Sequence, residues 1–163
     1  MAPPHRFVAD MMLGKLARWL RAMGYDTVYF RVAEDRHLLQ LAHAEARTLL
    51  TRDTRLARLA GAGGLLIQAT EVEPQVAEVI ERLALSPSSD DLLSRCLECN
   101  TRLVDRPKDS VGGLVPAYVF ARHDHFVGCP GCGRIYWQGS HADRMLARLG
   151  RMLGLSGPTL SGP

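Results

Sequence analysis

The sequence predicts an α/β fold, a parallel sheet flanked by helices, followed by a small zinc-ribbon lobe. Three observations carry this. Short apolar or β-branched runs alternate with stretches of helical periodicity, and parallel strands require such crossover connections. An acid stands just past an apolar run or at a helix start three times, as Asp10, Asp35 and Asp53. Beyond the alternation come two C-x-x-C pairs, Cys96 with Cys99 and Cys129 with Cys132.

Residues 7–9, Phe-Val-Ala, read as a first buried strand. Leu13, Leu16, Ala17, Leu20 and Met23 then recur at helical spacing and end at Gly24, a suitable residue just past a helix. Residues 27–30 are β-branched and aromatic and predict a second strand. Asp35 is placed to cap a helix carrying Leu38, Leu39 and Ala42, and residues 48–51 form a third strand. A short helix over 56–60 stops at the glycines of 61–64. Residues 65–68 give a fourth strand, and Pro74 opens a helix with Val76, Val79, Ile80 and Leu83. The Ser, Pro and Asp composition of 86–91 marks a linker, so the α/β domain spans 5–85 and the ribbon 92–150. Short strands are expected near Leu103, Val119 and Phe126, a last helix over 141–153, and a disordered tail over 154–163.

At 163 residues and 47% hydrophobic, the chain can bury a proper core. The net charge of +3 is mild but uneven, with nine basic residues against five acids between Lys15 and Arg58. A positive surface beside an acidic centre suits a polyanion. Lys15 and Arg18, three apart on the first helix near Asp10, are candidate phosphate contacts, as is Arg52 in the same belt. The N-terminus has no apolar signal region, and the longest uncharged stretches fall short of the roughly 18 apolar residues of a membrane span. A soluble, cytoplasmic protein with no membrane partner is the expectation.

The C-terminal ends of parallel strands lie along one sheet edge, where open α/β folds place ligands. Asp10, Asp35 and Asp53 therefore converge there. Convergent carboxylates repel unless a cation such as Mg²⁺ or Mn²⁺ neutralises them, and such ions keep waters for substrate phosphates. This points to metal-assisted phosphodiester hydrolysis. Glu45 is excluded because a helix begun at Asp35 carries it about 15 Å away from that edge. Glu34 reads as a solvated loop acid, and the histidines lack partners at ligand spacing.

Two C-x-x-C pairs separated by 29 residues supply four thiolates, which satisfy one tetrahedral structural Zn²⁺. A redox dithiol, disulfides and an iron site are the competing readings. Tyr136 or Trp137 is expected to pack against the α/β lobe, or an exposed aromatic there to stack on single-stranded bases with Arg134. Trp19, among leucines, reads as core.

The run Phe7-Val8-Ala9-Asp10 through Gly14-Lys15-Leu16-Ala17-Arg18-Trp19-Leu20-Arg21, then Leu49-Leu50-Thr51-Arg52-Asp53, then Cys96-x-x-Cys99-Asn100 and Cys129-Pro130-x-Cys132-Gly133 to His141, resembles the PIN-like RNase family named for the C-terminal part of the Mut-seven exonuclease. The resemblance implies a PIN-like fold and a metal-dependent ribonuclease. It matches Asp10, Asp35 and Asp53 to the family's acids, and Thr51 to a threonine that orients a carboxylate or water. Arg55 stands where many PIN nucleases carry a further acid, which implies one firmly held metal, or a weak site completed by substrate, rather than a strong two-metal clamp. RNA, single-stranded or structured, is the implied partner. A non-catalytic RNA-binding or ribosome-associated module is the alternative. A phosphatase acting on small phosphoesters lacks a nucleophile motif.

Overall fold

The computed structural model describes residues 4–155. Four parallel strands, β1 (Arg6–Ala9), β2 (Asp26–Tyr29), β3 (Thr48–Thr51) and β4 (Gly64–Leu66), lie in the order β2-β1-β3-β4. Four helices follow them in turn: α1 (Gly14–Ala22), α2 (Asp35–Ala44), α3 (Thr54–Ala60) and α4 (Val72–Arg82). The alternation predicted from the sequence is thus present element by element.

The central strands β1 and β3 are buried on both faces, as their apolar runs demand. In β1, Phe7 and Ala9 join a cluster with Leu16 and Leu20 of α1 and Val76 and Val79 of α4. Val8 points the other way, onto Leu38 of α2 and Leu56 of α3. Register continues this into β3, where Leu49, beside Val8, faces α2 and Leu50, beside Ala9, faces α1. The sheet is therefore doubly wound. The chain leaves β1 toward β2 over one face and leaves β3 toward β4 over the other.

The remainder builds a second, antiparallel sheet of β5 (Val104–Arg106), β6 (Phe126–Gly128) and β7 (Ile135–Trp137), with helices α5 (Ala117–Arg122) and α6 (Ser140–Met152). The strand expected near Val119 is a helix. Pro116 supplies its N-cap, and Val119 is buried with Val111, Val115 and Phe126. Helix α6 returns to the first sheet, placing Met145, Leu146 and Leu149 in the cluster of α1 and α4. Its Arg148 guanidinium lies 4.9 Å from the ring of Trp19, which is buried.

The composition break at 86–91 is bridged by packing. Gly24, at φ +92°, accepts the chain so closely that a Cβ there would lie 2.6 Å from Asp91. The Leu93 amide donates to Ala22 at 2.7 Å, and Leu97 joins the α1 cluster. Of the tail expected over 154–163, residues 156–163 lie outside the described residues. No helix among the described residues is long and apolar enough to cross a membrane.

Candidate active site

Strand order reverses between β1 and β3, and ligands of open α/β sheets bind outside the strand ends at such a point. Asp10 follows β1 and Asp53 follows β3, so both acids stand there. Asp10 is only 8% exposed, and each of its carboxylate oxygens has a partner. Oδ1 accepts from the Met11 amide at 2.7 Å, capping a 3-10 turn over Met11–Leu13, and Oδ2 accepts from the Thr51 hydroxyl at 2.9 Å. Thr51 is fully buried, and its hydroxyl oxygen accepts in turn from the Asp53 amide at 3.0 Å. Asp53 caps α3 by accepting from the Leu56 amide at 3.0 Å, which leaves its other oxygen toward solvent.

Asp35 is the first residue of α2, which packs across β1 and β3. It does not cap that helix. Glu34 holds the cap position, and neither side chain makes a capping bond. The structure thus ties Asp10, Thr51 and Asp53 directly together and leaves Asp35 at the same edge without a bond to them. Among the described residues, these three carboxylates do not form a group whose oxygens all lie within 4.8 Å of one another.

Charge at this edge is uncompensated in both signs. Among the described residues, no lysine or arginine lies within ion-pair distance of Asp10, Asp35 or Asp53. Lys15, Arg36, Arg52 and Arg55 have no acidic partner either, and Lys15, Arg36 and Arg55 are exposed. Arg18 differs from Lys15: it is half-buried and pairs with Glu98 at 2.5 Å.

The opposite edge of the sheet carries a network not found by the sequence reading. Arg47 is 6% exposed and donates to Asp26 Oδ1 at 2.7 Å, to Glu45 at 2.6 Å and to the Phe7 carbonyl at 3.1 Å. Arg6 adds a 3.3 Å contact to Asp26 Oδ2. Asn100, from the cysteine region, donates to Asp26 Oδ1 at 2.7 Å and accepts from the Thr27 amide at 2.9 Å. Burial pushes the Asp26 carboxyl up, but the hydrogen bonds from Arg47 and Asn100 outweigh it and hold its pKa at about 2. Glu45, excluded by helix direction, is here. The sequence marks Arg47 only as a base directly preceding a strand, and its burial depends on Asp26, 21 positions away.

The cysteines come together. All four sulfurs lie within 4.8 Å of one another, with Cys96 to Cys132 at 3.6 Å and Cys99 to Cys129 at 3.3 Å. A tetrahedral zinc with bonds of about 2.3 Å separates its sulfurs by about 3.8 Å, whereas a disulfide brings them to about 2 Å. The cluster therefore has the dimensions of a four-thiolate metal centre, and all four cysteines are free. The Tyr136 hydroxyl stands 3.1 Å from Cys96 Sγ and the Cys132 amide donates to Cys129 Sγ at 3.4 Å. Tyr136 serves the cluster, and Trp137 packs with Val111 and Phe126, so neither aromatic packs on the α/β lobe as expected. The Cys96–Cys99 turn, a knuckle of the cysteine centre, is docked on α1. Arg21, 6% exposed, donates to the Leu97 carbonyl at 2.9 Å and to the Glu98 carbonyl at 3.1 Å.

Fold and sites together define a doubly wound α/β protein with an acidic switch-point edge and a four-cysteine centre. Residues 5–149 match the family model of the Mut7-C RNase domain, and the chain belongs to that family. No curated protein and no solved structure matches it.

Proposed function

We propose that this protein is a metal-dependent ribonuclease that hydrolyses RNA phosphodiester bonds at the C-terminal edge of its parallel sheet. The carrying observation is the juxtaposition of unpaired acids and unpaired bases at the switch point. At the opposite edge, by contrast, the partly buried Asp26 is matched to the buried Arg47. Charges left unmatched on both sides suit a substrate that brings phosphate and a cation together. The family supports RNA as that substrate.

The donor set fits a hard ion. It consists of carboxylate oxygens, the donors that Mg²⁺ and Mn²⁺ take while keeping several waters. Such an ion, when bound, supplies a water nucleophile at neutral pH and offsets charge on the phosphate. Asp10 presents a carboxylate oriented by the Met11 amide and the Thr51 hydroxyl, with lone pairs to spare. Asp53 offers the oxygen not used in its cap, and Asp35 faces the same edge from α2. Lys15 and Arg52 bind the flanking phosphates, with Arg18 a weaker contributor because Glu98 already neutralises it. In the cysteine centre, one structural Zn²⁺ closes the four thiolates and leaves no open position.

The spread of the three acids favours a second reading, a non-catalytic RNA-binding or ribosome-associated module. One experiment separates the two. Single-stranded, duplex and structured RNAs are incubated with the protein in Mn²⁺. Cleavage by the wild type and none by Asp10→Asn supports the enzyme; RNA bound but left intact in both Mg²⁺ and Mn²⁺ establishes the module.

A further inference from the structure

We infer that Tyr29 is a positioning residue for this site, holding through its hydroxyl the turn that orients Asp10. The inference rests on the reading of Asp10 as a metal ligand. Asp10 opens the 3-10 turn Met11–Leu13, of which only Leu13 is buried. Met11 is 52% exposed and Met12 68%, so neither side chain anchors the turn by packing. Yet Met11 supplies the amide that holds Asp10 Oδ1. The Leu13 amide closes the turn on the Asp10 carbonyl at 2.9 Å, and Met11 itself is held by the Tyr29 hydroxyl, which donates to its carbonyl at 2.8 Å.

The placement follows from the fold. Tyr29 is the last residue of β2 and pairs in register with Ala9, the residue before Asp10. Its ring runs past the strand end to the start of α1, where Gly14 makes room for it. A Cβ at Gly14 would lie 2.9 Å from the Tyr29 hydroxyl oxygen and 3.0 Å from its ring. Gly14 is at φ −61°, an ordinary helical value, so nothing in its own backbone requires glycine. The approach of Tyr29 does. Asp10 is thus held from two sides, by Thr51 on one oxygen and by the Tyr29-Met11 link on the other.

Tyr29→Phe tests this, since it keeps the ring and deletes the bond. Three readouts apply. In metal-free protein, amide hydrogen exchange at Met11 and Leu13 should quicken by about five- to tenfold, as expected for the loss of one net hydrogen bond. The Mn²⁺ concentration at the midpoint of metal-induced thermal stabilisation should rise by a similar factor of about five. In cleavage, kcat should fall while KM for RNA holds, because Tyr29 touches no phosphate. Gly14→Ala should give the same signature, and the double variant should be no worse than Gly14→Ala, since both act through one contact. Unchanged exchange and an unchanged Mn²⁺ midpoint in Tyr29→Phe overturn the role. If Asp10→Asn also leaves the Mn²⁺ response intact, the metal reading itself has failed and the inference falls with it. If Asp10→Asn abolishes the response and Tyr29→Phe does not alter it, only the inference falls.

Discussion

The two edges of the parallel sheet carry acids in opposite states. At the N-terminal edge Asp26 is enclosed by Arg47, Arg6 and Asn100, so its charge is spent on holding strands and the cysteine region together. At the C-terminal edge Asp10, as buried as Trp19 or Met145, has a hydroxyl and an amide but, among the described residues, no cation. An ionised carboxylate is costly to bury without a compensating charge. Where the compensation is internal the residue is structural, and where it is missing the proposed function supplies it with a bound cation. The cysteine centre stands with the first group, tied to α1 by Arg21 and to β2 by Asn100.

The largest effect should come from the cysteine centre. Cys96→Ser removes a buried thiolate, so zinc content should fall well below one per chain by elemental analysis and the segment around β5 to β7 should become open to proteolysis. Because the knuckle rests on Arg21, protection of the C-terminal half of α1 should weaken too. Iron in place of zinc, or retained zinc with intact packing, would contradict the four-thiolate assignment.

Next comes the paired edge. Arg47→Ala strands Asp26 and Glu45 and should cost about 3 kcal/mol in urea unfolding, the scale for breaking a largely buried pair. Its titration has a definite sign. The folded pKa of Asp26, about 2, lies below the ordinary value of 3.8, so its contribution is full above pH 4 and disappears as pH falls toward 2. Wild type should lose about 2 kcal/mol from this residue over that interval, and Asp26→Asn should not.

The unpaired edge should respond more through function than stability. Thr51→Val keeps the buried shape but deprives Asp10 Oδ2 of its donor and the Asp53 amide of its acceptor, costing about 2 kcal/mol. Thr51→Ser should restore both stability and activity. Smallest is the effect of single bases. Lys15→Ala should flatten the dependence of log affinity on log salt for single-stranded RNA by about 0.7, and Arg18→Ala by less, because Glu98 already engages it. Equal effects from the two would show that the Arg18-Glu98 pair opens on binding.

How much of this was legible beforehand divides along the same line. Short apolar runs located β1 and β3 because both faces of each are buried, period-3.6 patterning located α1 and α4 because each buries one stripe, and the C-x-x-C spacing located all four sulfurs because the ligands come in local pairs. Asp10 and Asp53 were visible as acids just past strands. Their link through Thr51 was not, since it depends on β1 and β3 being neighbours, and that order follows from which face each crossover takes. The pairs Arg47 with Asp26 and Arg18 with Glu98 join residues 21 and 80 positions apart, and no local pattern encodes such partners. The segment around Val119 was misread because a five-residue apolar run suits a short helix as well as a strand, and Pro116 decides for the helix.

The central claim is that Asp10 is poised for a cation while Asp26 is not. Thermal melts of the wild type, Asp10→Asn and Asp26→Asn, each with and without millimolar Mn²⁺, test it most directly. The account predicts that Mn²⁺ raises the melting temperature of the wild type and of Asp26→Asn but leaves Asp10→Asn nearly unmoved. An Asp10→Asn protein stabilised by Mn²⁺ as much as the wild type would contradict it.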